Sequence, residues 1–192
     1  MSERSLRPDR RTEILTKAAE LFARSGFHGV SIDDLGSAVG LTGPALYRYF
    51  PGKEAILSAM LIDISERLLA GGEQRAAEHT APRSALSALV DFHVDFALDN
   101  TDLINVQMRD LAAMPESEQR AVRRLQAKYV SLWTDALMEV RPIDRDEARA
   151  AAQATFGLIN STPHSARLSR PDMACLLRDM ALAALAITPI PE

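Results

Sequence analysis

The chain has 192 residues, of which 47% are hydrophobic, enough for one domain of ordinary size with a real core plus a small appendage. Its single cysteine, Cys175, excludes a disulfide framework and a cysteine-ligated zinc site within one chain. The net charge of −4 argues against a protein that coats nucleic acid over its whole surface. We expect a soluble, cytoplasmic protein, because no stretch resembles a signal peptide or approaches the roughly 18 apolar residues of a membrane span.

Charge is unevenly distributed along the chain. Residues 1–53 contain eight Lys and Arg against six Asp and Glu, so this segment carries +2 and the remainder −6. A basic first quarter joined to an acidic remainder indicates a protein with one end that faces an anion.

Helical spacing of apolar residues recurs from end to end, and no window alternates in the manner of a strand. The first helix begins near Asp9 and ends at Gly26, and a long fourth helix follows Pro51 and Gly52 and weakens at Gly71 and Gly72. The pattern therefore predicts an all-α fold of about nine helices. The others span residues 31–40, 42–49, 83–99, 102–113, 116–140, 145–161 and 172–187.

The second and third helices are predicted to form a helix-turn-helix. Ser31 and Asp34 resemble a capping box, and Thr42 can cap a short helix that carries Pro44 in its first turn. The three-residue turn between them, Gly40-Leu41-Thr42, is typical of this motif. A small three-helix core would be closed by Leu21, Phe22, Ile32, Leu35, Val39, Leu46 and Phe50.

The third helix, residues 43–49, has the chemistry to read a major groove. Gly43, Pro44 and Ala45 favour apolar contacts such as thymine methyls, and Arg48 is the side chain that can read guanine directly. The hydroxyls of Tyr47 and Tyr49 are suited to phosphate. The N–H groups near Ser31 and the Lys53 ammonium are also suited to phosphate.

The stretch "RRTEILTKAAELFARSGFHGVSIDDLGSAVGLTGPALYRYFPGKEAIL" resembles the N-terminal DNA-binding domain of the tetracycline-repressor (TetR) family over nearly its whole length. The resemblance implies an all-α homodimer that represses transcription and leaves DNA when a small molecule binds its C-terminal domain. We therefore expect a DNA-binding domain at 1–53 and a ligand-binding and dimerisation domain at 54–192.

The same resemblance assigns roles to individual positions. Ser31, Thr42, Tyr47, Tyr49 and Lys53 fall where the family commonly contacts phosphate, and Gly43, Pro44, Ala45 and Arg48 fall on its base-reading helix. Three positions depart from the commonest pattern: Gly43 replaces a frequent Lys, Pro44 a frequent Gly, and Arg48 a frequent His. The resemblance therefore implies a DNA-binding role but does not give the operator sequence.

The C-terminal two thirds contain no catalytic motif, no phosphate-binding glycine loop and only scattered histidines, so we expect no enzyme, cofactor or metal site. The helix at 145–161 is rich in small residues that would allow close helix contacts, including Ala150, Ala154 and Gly157. Alanine also simply favours helix. The resemblance assigns the last two helices to the dimer, and we prefer that interpretation.

Polar residues among apolar helices indicate an apolar cavity with a few orienting groups. The expected ligand contacts are Met108, Arg109, Trp133, Asn160 and His164, around a small hydrophobic effector such as an acyl thioester. Arg109 or Arg124 would meet an anionic group of that effector. The rival hypothesis is a helical small-molecule binding protein without sequence-specific DNA binding, and a third is an enzyme that acts on its apolar ligand.

Overall fold

The computed structural model describes residues 9–165 and 167–186, and no strand occurs in these two ranges, so the predicted all-α fold is confirmed. None of the helices in these ranges is both long and apolar enough to cross a membrane. A 3-10 helix (Leu111–Ala113) lies between the α-helix that ends at Asp110 and the one that begins at Glu116. The α-helices are α1 (Arg10–Ser25), α2 (Ile32–Ala38), α3 (Gly43–Leu46), α4 (Lys53–Ala77), α5 (Pro82–Asp99), α6 (Thr101–Asp110), α7 (Glu116–Val140), α8 (Arg145–Ile159), α9 (Thr162–Ser165) and α10 (Arg170–Ala184).

The nine predicted helices are all present, and the differences lie at their ends. Helix α3 ends at Leu46 and continues as single turns as far as Phe50, where Pro51 disfavours helical backbone at the residue before it. The segment predicted as one helix over 102–113 is divided into α6 and the 3-10 helix. The short α9 was not predicted, and the predicted end of the last helix at Ile187 lies outside the described residues.

Helix α4 continues through the glycine pair that was expected to weaken it. A Cβ at Gly71 would overlap the ring of Phe92 on α5, and one at Gly72 would fall 2.5 Å from Cε2 of Tyr129 on α7. Glycine costs about 1 kcal/mol relative to alanine inside a helix. The missing side chains let two aromatic rings pack directly on the α4 backbone, and this packing offsets that cost.

The buried hydrophobic residues of the described ranges form two clusters. The first joins α1, α2 and α3 to the first half of α4. It also includes Val106 from α6, Met114 from the segment after the 3-10 helix, and Val122 from α7. The second joins the last part of α4 to α5, α7, α8 and α10. Helix α4 therefore belongs to both clusters and connects them as one continuous element.

Ion pairs hold α10 on α5 at the edge of the second cluster. Arg170 contacts the carboxylates of Asp95 at 3.1 Å and Asp99 at 2.9 Å, and Arg178 contacts Asp91 at 2.5 Å. The three aspartates are spaced four residues apart, so they lie along one face of α5. This arrangement leaves the opposite face of α10 open.

Candidate nucleic-acid interface and effector core

Helix α2 begins with the predicted capping box. The Ser31 hydroxyl accepts from the N–H of Asp34 at 3.1 Å and donates to its carboxylate at 2.6 Å, and the Ser31 N–H donates to the same carboxylate. These bonds, from the side chain first, lower the pKa of Asp34. Because the hydroxyl proton is directed at Asp34, a phosphate at Ser31 would have to replace that carboxylate as its acceptor.

The turn into α3 depends on three glycines and one threonine. Gly40 has a positive φ of 67°, which suits glycine, and a Cβ at Gly36 would lie 2.8 Å from the carbonyl oxygen of Leu41. A Cβ at Gly43 would overlap the Asp33 side chain. Thr42 Oγ1 accepts from the N–H of Ala45 at 3.4 Å, which leaves the hydroxyl proton of Thr42 available to a phosphate.

The residues predicted to contact DNA lie on the α2–α3 motif and at the start of α4 and differ in exposure. Tyr47 is 54% exposed, whereas Gly43 is buried against α2. The structure thus presents a hydroxyl, a phenol and a guanidinium on the surface around a short helix. Ser31, Thr42, Pro44 and Arg48 are also exposed, and Ala45, Tyr49 and Lys53 are half-buried.

Lys53 has an internal role that its predicted phosphate contact did not include. Its ammonium donates to the carbonyl oxygens of Phe27 and Val30, each at 3.1 Å, and lies 4.5 Å from the centre of the Phe27 ring. Two of its three protons therefore hold the loop between α1 and α2 against the start of α4. The third remains for a phosphate.

Two arginines of α1, which the sequence predicted only as part of the positive charge of residues 1–53, hold the rest of the motif in place. Arg10 donates to the carbonyl of Val39 at the end of α2. Arg11 donates to the carbonyl of Tyr49 at 3.0 Å and stacks 4.1 Å from the centre of the Phe50 ring. Cations at a helix carboxyl end stabilise its free carbonyls, so α1 holds both later helices in place.

The end of α1 is held in turn by α6. Arg109 donates to the carbonyls of Ala23, at 3.3 Å, and Phe22, and Asn105 donates to that of Ala23 at 3.3 Å. Arg109 also pairs with the buried carboxylate of Asp110 at 2.9 Å, and its hydrogen bond to Asp110 raises the pKa of Arg109. Arg109, which was predicted to meet a ligand, thus contacts the DNA-binding motif.

An aromatic cluster forms the centre of the second core. The rings of His93 on α5, Tyr129 and Trp133 on α7 and Phe156 on α8 lie with centroids 4.8 to 6.3 Å apart. His93 Nδ1 is hydrogen-bonded to the Tyr129 hydroxyl at 3.1 Å. Burial lowers the pKa of His93 to about 4, and the side chain of Asn160 acts in the opposite direction. His93 is therefore neutral at pH 7.

The five predicted ligand contacts are not brought together. Trp133 is fully buried in the aromatic cluster and Asn160 acts on its histidine, whereas Met108 is 66% exposed and His164 is exposed on α9. Arg109 contacts α1. His93 was not predicted as a contact, although its spacing of three and four residues from the apolar Val90, Leu89 and Ala97 is a helical signal in the sequence.

The outer faces of α8 and α10 carry exposed apolar and small residues. On α10, Leu176 and Met180 are 42% and 46% exposed. On α8, Ala150, Ala154 and Gly157 are exposed, and a Cβ at Gly157 would meet nothing within 4 Å. Small residues on α8 beside larger ones on α10 form a surface that another helix pair can approach closely.

Comparison with known sequences relates both parts of the chain to one group of regulators. A model described as bacterial regulatory proteins of the tetR family matches residues 14–60. A second model, described as a tetracyclin repressor-like C-terminal domain, matches residues 79–164. The chain is 28% identical over 165 residues to the HTH-type transcriptional activator FasR of Mycolicibacterium smegmatis, and the alignment covers 84% of this chain and 72% of FasR.

Solved structures show the same fold. A TetR-family transcriptional regulator from Bordetella parapertussis superposes with a TM-score of 0.83 and 26% identity, and the match covers 96% of this chain and all of that one. AibR in complex with isovaleryl coenzyme A and operator DNA has a TM-score of 0.76 and 19% identity over 90% of this chain and 97% of its own.

Proposed function

The chain belongs to the tetracycline-repressor (TetR) family of transcriptional regulators, and on that premise we propose that it is a homodimeric repressor that leaves its operator when a small hydrophobic effector binds. The observation that carries the proposal is the fastened α2–α3 motif, with its exposed threonine, tyrosine and arginine around one short helix. In this proposal residues 1–53 bind DNA, and residues 54–192 bind the effector and form the dimer.

In this proposal α3 enters the major groove of DNA. Pro44 and Ala45 contact thymine methyls, with the Gly43 backbone close to the base edges, and Arg48 reads guanine. Thr42 and Tyr47 donate to phosphates through free hydroxyl protons, and Ser31, Tyr49 and Lys53 add further phosphate contacts. The palindrome has half-sites one helical turn or a small multiple apart, because a two-fold dimer presents two such helices.

The second copy is proposed to bind on the open faces of α8 and α10. Leu176 and Met180 supply apolar area, and Ala150, Ala154 and Gly157 allow backbones to approach, so two helices from each chain form a four-helix bundle. A homodimer buries the same surface on both chains, which removes both exposed patches at once.

The effector is proposed to be hydrophobic and to bind at the aromatic cluster, with Trp133 and Asn160 among its contacts. AibR supports an acyl thioester as the class, because a protein of this fold holds isovaleryl coenzyme A together with operator DNA. Met108, Arg109 and His164 remain proposed contacts for the parts of such a molecule that extend toward solvent. No catalytic step is proposed, and the regulator acts in the cytoplasm.

Two structural links support a route from effector to DNA. Tyr129 of the aromatic cluster packs on the α4 backbone at Gly72, and α4 begins at Lys53, which holds the α1–α2 loop. Arg109 connects α6 to the end of α1. An effector that displaces the cluster would shift α4 and α6 against the DNA-binding motif, provided that it binds the released arrangement more tightly.

The test is to recover the genomic DNA fragments that the protein binds and to measure affinity for the selected and random duplexes at several salt concentrations. We expect a palindrome, a steep loss of affinity with salt, and a uniform loss over all sequences for Tyr47→Phe. Arg48→Ala should change base preference at one position in each half-site. Equal affinity for random and selected duplexes would favour the rival, a ligand-binding protein that does not read DNA sequence.

A further inference from the structure

Two nitrogen atoms in the aromatic cluster are buried without a hydrogen-bond partner among residues 9–165 and 167–186. They are His93 Nε2 and Trp133 Nε1, on side chains 2% and 0% exposed, and their ring centroids lie 5.8 Å apart. More than nine in ten buried polar groups in proteins are paired, so two neighbouring exceptions call for a partner.

Both nitrogens are assigned as donors. The indole nitrogen of Trp133 carries a proton in every state. Within the described residues the Tyr129 hydroxyl is hydrogen-bonded to His93 Nδ1 at 3.1 Å. Burial raises the pKa of this hydroxyl, and the Trp133 side chain, which can only donate, acts on the same hydroxyl and tends to lower its pKa. The hydroxyl proton is therefore best used by donating to Nδ1. Neutral histidine then carries its proton on Nε2. The opposite tautomer would leave both the buried hydroxyl proton and the Nε2 lone pair unmet.

The cluster offers donors without charge. Burial dominates the shifts in the pKa of His93 and Tyr129, and no charged group contributes to either of them. A carboxylate would be buried there without a cation, and an ammonium would meet only donors. A hydroxyl would need an acceptor for its own proton, and the amide of Asn160, the polar side chain that acts on His93, would have to supply it. A carbonyl oxygen accepts two hydrogen bonds and brings no proton.

Phe156 is the one partly exposed member of the cluster, and it covers the two donors. Its ring centroid lies 4.8 Å from that of His93 and 4.9 Å from that of Trp133. As the partly exposed ring of the cluster, Phe156 is the side chain that a molecule arriving from the surface would meet first.

We infer that His93 Nε2 and Trp133 Nε1 hold the oxygen of a neutral carbonyl group on an apolar effector, which enters by displacing Phe156. The inference rests on the proposed function, because it specifies the chemistry of the effector site. The carbonyl of an acyl thioester and that of a simple ketone are equally suited to the two donors.

The experiment uses the full chain labelled with ¹⁵N, in which Trp133 is the only tryptophan and gives one indole N–H signal. Straight-chain methyl ketones, alkanes, alcohols and carboxylates of 6 to about 14 carbons are titrated as probes, with coenzyme A thioesters of matching acyl length. We expect ketones to move the indole proton signal downfield and to bind about tenfold more tightly than alkanes of equal length, from one to two added hydrogen bonds.

The ratio of ketone to alkane affinity is the internal control for changes in packing. Trp133→Phe and His93→Phe should each lower this ratio toward one, even if they change the affinities for the ketone and the alkane individually. Operator binding in the absence of effector verifies that each variant folds. If only the thioesters move the signal, the carbonyl anchor holds and its source is an acyl thioester; if ketones do so as well, the coenzyme is dispensable.

The inference is overturned if no carbonyl probe moves the indole signal, if alkanes or carboxylates bind as tightly as the carbonyl probes that move it, or if the advantage of those carbonyl probes over alkanes survives both substitutions. None of these results changes operator binding, so they would refute the carbonyl site without refuting the proposal that the protein is a repressor. Conversely, a ketone that binds through Trp133 but never changes operator affinity would support the anchor and refute effector control.

Discussion

Replacement of Lys53 by alanine separates its internal role from its proposed contact with DNA. The substitution removes two hydrogen bonds from an ammonium to the carbonyls of Phe27 and Val30, both 3.1 Å long, and its contact with the Phe27 ring. Hydrogen bonds to charged groups contribute about 1.5 to 3 kcal/mol each when well buried. Because Lys53 is only half-buried, we expect a total loss of about 2 kcal/mol in the free energy of unfolding.

Urea denaturation measures that loss, and Lys17→Ala is the matched control. Lys17 forms an exposed pair with Glu20 at 2.9 Å on the neighbouring α1, and such pairs contribute about 0.5 kcal/mol or less. A Lys53→Ala protein as stable as the Lys17→Ala protein would refute the claim that the ammonium holds the α1–α2 loop.

The salt dependence of operator binding tests the second role. If each Lys53 of a dimer also neutralises a phosphate, the slope of log affinity against log salt should become shallower by roughly 2 in Lys53→Ala. If the residue acts only by holding the loop, affinity falls at every salt concentration while the slope stays the same.

Three further predictions concern the other half of the molecule. Gly157→Leu should leave the folded chain intact but weaken the dimer by about 1 to 3 kcal/mol, as read by light scattering at low concentration; an unchanged dimer would place Gly157 outside the interface. Arg109→Met should lower the free energy of unfolding by about 1.5 to 3 kcal/mol in urea, because it uncaps α1 and leaves Asp110 unpaired, whereas the exposed Arg24→Met should not. Since the pKa of His93 is about 4 in the fold, below its unfolded value, the unfolded state binds more protons between about pH 4 and 6.5 and stability falls as pH drops through that window. The loss should reach about 2 kcal/mol at pH 5 relative to pH 7 and be absent in His93→Gln, and an equal pH dependence in both proteins would contradict the buried neutral state.

The helix-turn-helix could be predicted because its signals are local. Ser31 and Thr42 act through bonds that span three residues, and Gly40 is required by its own φ, so a short window of sequence contains both partners. The partners of Arg10 and Arg11 are carbonyls 29 and 38 residues away. Every residue has a backbone carbonyl, so no sequence pattern indicates which carbonyl accepts these hydrogen bonds.

The effector site could be predicted only in outline for a related reason. A polar residue in an apolar helix indicates that something polar faces it, but the partner can be a ligand or a backbone. Arg109 was assigned to a ligand and in the structure contacts the end of α1. His93 was set aside as an ordinary histidine, and only the packing of three helices reveals that it lies beside Trp133 with one nitrogen unmet.

The direct packing of Tyr129 on Gly72 constrains how this protein can vary in evolution. A methyl group at position 72 would have to occupy space that the ring at position 129 already fills, so neither residue can be replaced without regard to the other. Among orthologues, alanine or serine at position 72 should occur together with a smaller residue at 129, and such chains would lack the hydroxyl that directs the His93 tautomer. Lineages that exchanged this pair would be expected to respond to different metabolites.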